Sequence, residues 1–416
     1  MEQSTALITN DAVVLGLLAV ILGLVFHTSQ SSNKYCQGFY KYVPALLLCY
    51  FIPSLFNSFG VIDGEKSSLY SVASRYLLPA SLVLLTISVD FKAILGLGPK
   101  ALIMFLTGTA GIILGGPLAL AIVGSFAPEA VGGEGENAIW RGMATIAGSW
   151  IGGGANQAAM KEVFEVGGPI FSVMITVDVI VANIWMAVLL WIANNSERLD
   201  RANKADTSGI EALKQKIEKY QAENSRNPSL TNLMVLIAVA FGVTGVSHFL
   251  ADIIAPWIEQ NAPELAMYSL TSSFFWLVLI ATTLGLLLSG TKARNLEAVG
   301  ASKLGSVFIY ILVTTIGMHM DVTAILDYPV MFVVGVIWMS FHAALLVFVA
   351  RLIKAPMFYL AVGSQANVGG AASAPVVAAA FHPALAPVGV LLAVLGYALG
   401  TYGGYISGLL MQQVAP

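Results

Sequence analysis

The chain has 416 residues, of which 57% are hydrophobic and only 10% are charged, and its formal net charge is −3. Soluble domains carry about 25% charged residues, so this composition excludes a water-soluble globular enzyme and a disordered chain. A nucleic-acid binder needs a basic face, and we therefore expect no nucleic-acid partner. The apolar runs far exceed the ~10 residues of a barrel strand, which predicts an all-α polytopic protein embedded in a lipid bilayer.

Apolar runs of spanning length, about 20 residues, follow one another in two series. The first series lies at 10–28, 43–60, 68–88, 97–125 and 169–194. The second series lies at 230–256, 268–289, 300–317, 329–350 and 386–412. Each series predicts five transmembrane helices.

A charged segment separates the two series. The stretch from Glu197 to Arg226 holds 13 charged side chains, seven basic and six acidic. Blocks of this kind are solvated rather than buried. We interpret 196–228 as a charged cytoplasmic linker that joins a first half, 1–195, to a second half, 229–416.

A glycine-rich apolar segment precedes the last run of each half, at 137–166 and at 355–381. Glycine disfavours regular helix by about 1 kcal/mol per residue, so each segment is predicted to break. The preferred interpretation is a re-entrant hairpin that enters and leaves on one side of the membrane. In the alternative each segment crosses the bilayer, which would place the basic linker outside.

The two halves are similar to each other, which predicts an internal repeat. Ser88-Val-Asp-Phe-Lys-Ala-Ile-Leu matches His319-Met-Asp-Val-Thr-Ala-Ile-Leu, and Ile146-Ala-Gly-Ser matches Ala361-Val-Gly-Ser. Pro169 and Pro387 each open the last run of a half. Five spans and one hairpin per half would invert the second half relative to the first.

Lysine and arginine predict the orientation, because they favour the cytoplasmic side. With the N-terminus and the C-terminus outside, most basic residues and the linker fall inside, and most acidic loop residues fall outside. We therefore expect a multi-pass protein of the bacterial inner membrane with a cytoplasmic linker.

The two breaks are the candidate substrate-binding positions. Freed backbone groups and short helix ends bind ions and polar ligands inside a helix bundle. The candidate residues are Ser149, Gly153, Gly154, Asn156 and Gln157 in the first break and Ser364, Gln365, Asn367, Gly369, Gly370 and Ser373 in the second. The alternative is that these small residues only permit close helix packing.

Asp178 is the candidate ion ligand. It is the only ionisable residue between Pro169 and Ala193, and nine residues of helix place it about 13 Å deep. A carboxylate at that depth normally faces a partner, a cavity or an ion. We predict that Asp178 binds Na⁺ or carries H⁺, with Asn183, Asn156 and Thr401 as further ion-binding candidates; the alternative is an internal hydrogen bond.

Two resemblances extend this prediction. Gly148-Ser-Trp-Ile-Gly-Gly-Gly-Ala-Asn-Gln-Ala-Ala and Ser364-Gln-Ala-Asn-Val-Gly-Gly-Ala-Ala-Ser-Ala-Pro resemble the YjcL-like family of bacterial integral-membrane proteins, whose function is unknown. The layout is also similar to sodium/glutamate and citrate symporters. That similarity implies cation coupling, a scaffold and a moving domain, a homodimer, and a substrate between the hairpin tips.

The sequence therefore predicts a Na⁺- or H⁺-coupled secondary transporter of a small polar metabolite, working by alternating access. Neither break has a basic cluster, which favours an amino acid or a short peptide over a highly charged anion such as citrate. We expect no enzymatic activity and no cofactor beyond the coupling ion. The alternatives are a channel or structural membrane protein, and an intramembrane hydrolase, whose serine form would need a histidine beside Gly363-Ser364.

Overall fold

The computed structural model describes residues 6–40, 43, 45–64, 66–207, 210, 228–319 and 328–416. Within these ranges the regular structure is helical, apart from an isolated bridge between Ile8 and Ile62. Most of the predicted linker, including 211–227, lies outside the described residues, as does 320–327 of the second repeat motif.

The first half contains seven principal helices. They are α1 (Asp11–Ser29), α2 (Ala45–Ser58), α3 (Leu69–Ile87), α4 (Pro99–Gly124), α5 (Ile139–Gly152), α6 (Gly154–Val163) and α7 (Gly168–Asn194). Short helices lie at Lys34–Tyr40, Phe91–Leu95, Pro128–Val131, Gly135–Asn137 and Ser196–Asn203.

The second half repeats this order. Its helices are α8 (Leu230–Asn261), α9 (Ser273–Ser289), α10 (Ala301–Gly317), α11 (Val330–Leu352), α12 (Met357–Val368), α13 (Gly370–Phe381) and α14 (Ala386–Val414). Short 3₁₀ helices lie at Pro263–Tyr268, Lys292–Val299 and Pro383–Leu385.

In the described part of the chain, seven helices are long and apolar enough to cross a bilayer: α1, α3, α4, α7, α8, α11 and α14. Each of the ten predicted spans contains a helix, although α2 has 14 residues and α9 and α10 have 17 each. The prediction of an all-α polytopic membrane protein is confirmed.

Both glycine-rich segments are helical hairpins. The chain breaks at Gly153, where φ is +76°, and at Gly370, where φ is +57°, a backbone region that favours glycine. At the opposite end of each hairpin an aromatic pair closes the base: the rings of Trp140 and Phe164 lie 5.5 Å apart, and those of Phe358 and Phe381 lie 5.4 Å apart. We call 139–163 the first hairpin and 357–381 the second hairpin.

Small residues let α14 pack closely against α5. A Cβ on Gly400 would lie 2.7 Å from the Cα of Gly152, and a Cβ on Gly404 would lie 3.0 Å from the Cα of Gly148. The residue numbers rise along α14 as they fall along α5, so the two helices are antiparallel. Glycine at every fourth position is the pattern that permits such an approach between membrane helices. Gly148 and Gly152 therefore lie where α14 approaches too closely for a larger side chain.

The two hairpins approach each other from opposite ends of α7 and α14. Along α14, the second hairpin packs first, where Gly389 lies against Ala374, and the first hairpin packs from Gly396 onward, where Gly396 lies against Ile151. Along α7 the order is reversed, since Ile170 faces Gly142 near the base of the first hairpin. Just beyond α7, Asp200 accepts a hydrogen bond from the N–H of Met357 at the start of the second hairpin, at 2.7 Å. The two breaks therefore meet near the middle of both helices.

The helices pack as two groups. Group A comprises α1–α3 and α8–α10, and group B comprises α4–α7 and α11–α14. Each half contributes its first three helices to group A and its fourth helix, hairpin and last helix to group B. Both hairpins consequently belong to group B.

Candidate functional site

Asp178 fastens both arms of the first hairpin to α7. Its Oδ2 accepts hydrogen bonds from the Ser149 hydroxyl at 2.6 Å and from Gln157 Nε2 at 2.9 Å, and its Oδ1 accepts one from Trp150 Nε1 at 2.7 Å. Ser149 and Trp150 precede the break, whereas Gln157 follows it. Asp178 is only 6% exposed, so these donors replace the water that a carboxylate needs.

This contact set is the internal hydrogen bonding that the sequence left open as the alternative for Asp178. The structure does bring Asp178 to the predicted residues Ser149 and Gln157. Since three donors already face its two oxygens, an ion bound at Asp178 would compete with them. Asn183 is placed differently, because its Nδ2 donates to the carbonyl of Val179 within α7, at 2.7 Å.

The second hairpin is held at Ser364, which matches Ser149 in the sequence repeat. Trp185 Nε1 lies 2.8 Å from the Ser364 hydroxyl, and so does His342 Nε2. His342 Nδ1 lies 3.0 Å from the carbonyl of Gly108, which can only accept. The neutral imidazole therefore donates from Nδ1 and accepts the Ser364 proton at Nε2. Trp185 follows Asp178 by seven residues, so one face of α7 holds both hairpins.

Asn156 joins the first break to α14. Its Oδ1 accepts from the Thr401 hydroxyl at 2.6 Å, and its Nδ2 donates to the carbonyls of Gly152 at 3.0 Å and Tyr397 at 3.1 Å. The Thr282 hydroxyl of α9 lies 3.2 Å from that of Thr401. This hydrogen-bonded chain links group B to group A.

The two breaks meet at Tyr397. A Cβ on Gly153 would lie 3.6 Å from the Tyr397 ring, so the first break faces this side chain. The Tyr397 hydroxyl accepts a hydrogen bond from the backbone N–H of Ala371, next to the second break. Gly153 of the first break and Ala371 beside the second break therefore both contact one tyrosine.

Asn367 faces α4 instead of the space between the breaks. Its Nδ2 donates to the carbonyl of Phe105 at 3.0 Å, and its Oδ1 accepts from the Thr109 hydroxyl at 2.8 Å. With both ends of its amide bound inside the protein, Asn367 has the geometry of a structural contact.

Gln365 and Ser373 contact each other across the second break. Gln365 Nε2 donates to the Ser373 hydroxyl at 2.6 Å, whereas Gln365 Oε1 is buried and has no hydrogen-bond partner. A Cβ on Gly369 would lie 1.8 Å from the Ser373 hydroxyl oxygen, so only glycine leaves room for this contact. No atom lies within 4 Å of a Cβ on Gly370, and the nearest to a Cβ on Gly154 is 3.9 Å away.

Sequence reasoning missed three side chains that hold the site. Trp150 lies inside the first glycine-rich motif, and Trp185 lies two helical turns after Asp178, so spacing alone could have identified both. His342 offered no signal, because a single histidine in an apolar run is usually structural. Its contact with Ser364 depends on packing between two different helices.

An apolar cavity of about 230 Å³ lies beside the first break, between groups A and B. It is lined by Met160 and Val163 of α6, Phe275, Val278 and Leu279 of α9, and Thr401, Tyr402, Tyr405 and Ile406 of α14. Its position next to the chain of Asn156, Thr401 and Thr282 adds an apolar surface to the polar tip.

Comparison with known proteins agrees with a multi-pass membrane protein. The chain is similar to the uncharacterized membrane protein YjcL of Bacillus subtilis (strain 168), with 25% identity over 371 residues that cover 85% of this chain and 86% of the relative. A family model described as "Protein of unknown function (DUF819)" matches residues 16–414. The resemblance carried by the two glycine-rich motifs is confirmed, and the chain belongs to this family of unknown function.

Proposed function

We propose that the protein is a secondary transporter that couples a Na⁺ or H⁺ gradient to the movement of a small polar metabolite by alternating access. The observation that supports this most is the meeting of two broken hairpins, from opposite ends of α7 and α14, at Tyr397. Discontinuous helices whose ends meet inside the bundle form the substrate and ion sites of many secondary transporters.

The proposed membrane frame is an inverted repeat with both termini outside and the linker in the cytoplasm. The base of the first hairpin lies beside the acidic segment that contains Glu134 and Glu136, and the second hairpin begins just after Arg351 and Lys354. The preference of basic residues for the cytoplasmic side supports opposite orientations of the two hairpins. The inner membrane of a bacterium is the proposed location.

The proposed moving unit is group B. Both hairpins belong to it, and its contacts with group A include the hydroxyl pair of Thr282 and Thr401. A shift of group B against group A would carry the tips from one side of the membrane to the other. A homodimer that holds group A in place, as in the symporters of similar layout, is part of the same proposal.

The proposed substrate is an amino acid, a small organic anion or a short peptide. The side chains at the two breaks are neutral amides and hydroxyls, which suit a ligand with its own donors and acceptors. The adjoining 230 Å³ apolar cavity adds room for a hydrophobic group on the same molecule.

Asp178 is the proposed proton carrier. Protonation would remove the negative charge that strengthens the hydrogen bonds from Ser149, Trp150 and Gln157, and would therefore weaken them. Because these residues lie on both arms of the first hairpin, protonation would loosen its tip. Na⁺ at Asp178, with Asn156 and Thr401 nearby, would act by displacing the same donors.

Transport by purified protein in liposomes tests this function. Candidate metabolites are first selected by the rise in thermal midpoint that ligand binding to the folded state produces. We expect saturable uptake of a selected metabolite that requires an inward Na⁺ or H⁺ gradient. Flux that neither saturates nor depends on a gradient would identify a channel, and absence of flux would favour a structural role.

A second candidate, an intramembrane serine hydrolase, is favoured by one contact. The Ser364 hydroxyl lies 2.8 Å from His342 Nε2, and Nδ1 is oriented by the Gly108 carbonyl, which is the order of nucleophile, base and orienting group. Ser364 and His342 are both 0% exposed, however, and Trp185 Nε1 also donates a hydrogen bond to the Ser364 hydroxyl. Fluorophosphonate labelling that disappears in Ser364→Ala would establish the hydrolase, whereas transport predicts no labelling.

A further inference from the structure

We propose that a Na⁺ ion binds at the break of the second hairpin, between the amide oxygen of Gln365, the hydroxyl of Ser373 and the carbonyls that end α12. The inference rests on the proposed cation-coupled transport and assigns the ion and its position. It places the Na⁺ site at the second break and leaves Asp178 of α7, which contacts the first hairpin, as a separate group.

The starting observation is the buried oxygen of Gln365. The residue is 2% exposed, its Nε2 donates to Ser373, and its Oε1 has no partner. Native proteins rarely bury an acceptor without a donor or a cation beside it. The hydrogen bond to Ser373 fixes the amide so that Oε1 remains available to a ligand.

The C-terminal end of α12, to which Gln365 belongs, is suited to a cation. The last carbonyls of a helix have no partners within the helix, and together they give its C-terminus a partial negative charge. The N–H of Gly369 binds the Gln365 carbonyl at 2.8 Å, so the carbonyls of the three following residues are those without a helical partner. One of them, Ala366, faces Gly396, where a Cβ would lie 3.4 Å from the carbonyl oxygen.

The two breaks differ in the polar groups that they present. Trp150 directly follows Ser149 and donates to Asp178, whereas Gln365 directly follows Ser364 and presents an acceptor. Asp178 lies nine residues after Pro169, and the residue nine positions after Pro387 is Gly396, which has no side chain. The first break therefore pairs donors with a carboxylate, while the second presents oxygen atoms to a positive ion.

The chemistry of the ligands selects the ion. Amide, hydroxyl and carbonyl oxygens are hard ligands, and none of the residues named in the site carries a negative charge. Divalent cations such as Ca²⁺ are usually bound with carboxylates, so a neutral set favours a monovalent ion. Unwound carbonyls and helix C-termini bind Na⁺ in transporters with broken helices.

Binding would order the tip that faces the substrate. Gln365 belongs to α12 and Ser373 to α13, so one ion would join the two arms across Gly369 and Gly370. The neighbouring Ala371 donates its N–H to Tyr397, where the first break also lies. Na⁺ at this position would therefore stabilise the second break and, through Tyr397, the space between the two tips.

The test is the thermal midpoint of the detergent-purified full chain, titrated with NaCl against choline chloride at constant ionic strength. We expect a saturable rise that is specific to Na⁺ over K⁺ and Ca²⁺. Gln365→Leu should weaken the apparent Na⁺ affinity about tenfold or more, because a ligand to a charged species is lost. Ser373→Ala should weaken it less. Gln365→Glu keeps the side-chain oxygen and adds a second one, so it should retain or strengthen the Na⁺ affinity; this variant tests the site if the leucine variant does not fold.

Gln412→Leu is the matched control, because Gln412 also has a buried unpartnered Oε1 but lies near the end of α14, away from both breaks. It should leave the Na⁺ response unchanged. Loss of the response in Asp178→Asn with a normal response in Gln365→Leu would overturn this site and leave ion-coupled transport intact. Absence of a Na⁺ response in wild type, or a response that follows the anion, would also overturn it. A normal Gln365-dependent response without Na⁺-driven uptake in liposomes would instead contradict the proposed function.

Discussion

The carboxylate of Asp178 accepts hydrogen bonds from both arms of the first hairpin, so its substitution tests that attachment. In Asp178→Asn one oxygen becomes an NH₂ group that faces existing donors, and at least one hydrogen bond is lost. We expect a loss of about 1–3 kcal/mol in the free energy of unfolding. Unfolding of the detergent-purified protein, followed by the loss of helical circular dichroism, measures it.

The control for Asp178→Asn is Asn183→Ala on the same helix. The side chain of Asn183 binds only the carbonyl of Val179, one turn earlier, so its removal should cost less than about 1 kcal/mol. Equal stability of Asp178→Asn and wild type would show that the three hydrogen bonds do not hold the hairpin.

At the scale of the helix, the contact between α5 and α14 depends on glycine. In Gly400→Ala the new methyl group would lie 2.5 Å from Asn156 Nδ2 and 2.7 Å from the Cα of Gly152, and both neighbours are fixed by hydrogen bonds or backbone. We expect the free energy of unfolding to fall by about 1–3 kcal/mol, as it does when other well-packed interiors are overpacked. The thermal midpoint in detergent measures the effect.

Gly242→Ala is the comparison for Gly400→Ala, because Gly242 lies within α8 and no atom lies within 4 Å of its Cβ. Alanine favours helix by about 1 kcal/mol over glycine, so this variant should be as stable as wild type or more stable. A Gly400→Ala protein as stable as Gly242→Ala would contradict close packing of α5 and α14.

The base of the second hairpin is attached to the short helix Ser196–Asn203. Asp200 accepts from the N–H of Met357 at 2.7 Å, and Asn203 donates to the carbonyl of Ala355 at 2.9 Å. Asp200→Ala removes a side-chain acceptor that caps the start of α12. We expect the free energy of unfolding to fall by about 1 kcal/mol. Amide hydrogen exchange should accelerate in the first turn of α12.

Glu197→Ala serves as the control for Asp200→Ala, since Glu197 is an exposed residue of the same short helix. It should leave exchange in α12 unchanged. Similar exchange in both variants would show that the short helix Ser196–Asn203 does not restrain the second hairpin.

At the scale of the whole molecule, periodic features of the sequence were sufficient to predict the helix order and the positions of both breaks. Long apolar runs locate the spans, and glycine clusters locate the hairpins because glycine disfavours helix wherever it occurs. For Asp178 the sequence left an internal hydrogen bond open as the alternative, and its partners Ser149 and Gln157 are identified by the structure alone. The contact of Ser364 with His342 and Trp185 does not follow from the sequence pattern either, because it joins three helices whose neighbours only packing determines. The division into groups A and B was likewise implied by resemblance alone.

The proposed opposite orientation of the two hairpins in the membrane concerns the whole molecule, and side-specific labelling can test it. Glu134 lies beside the base of the first hairpin, and Leu352, which is 72% exposed, precedes the second. Each is replaced by cysteine after substitution of the native Cys36 and Cys49 by serine. A membrane-impermeant maleimide added to spheroplasts should label Glu134→Cys and should label Leu352→Cys only after permeabilisation.

Arg201→Cys, just beyond α7 at the start of the linker, provides the internal reference for this experiment. Since Asp200 of the same short helix binds the start of the second hairpin, this position should share the labelling behaviour of Leu352→Cys. Labelling of Glu134→Cys and Leu352→Cys from the same side would place both hairpin bases on one face of the membrane. The two halves would then have the same orientation in the membrane. The proposal that an inverted repeat exposes one site to each side in turn would be wrong for this protein.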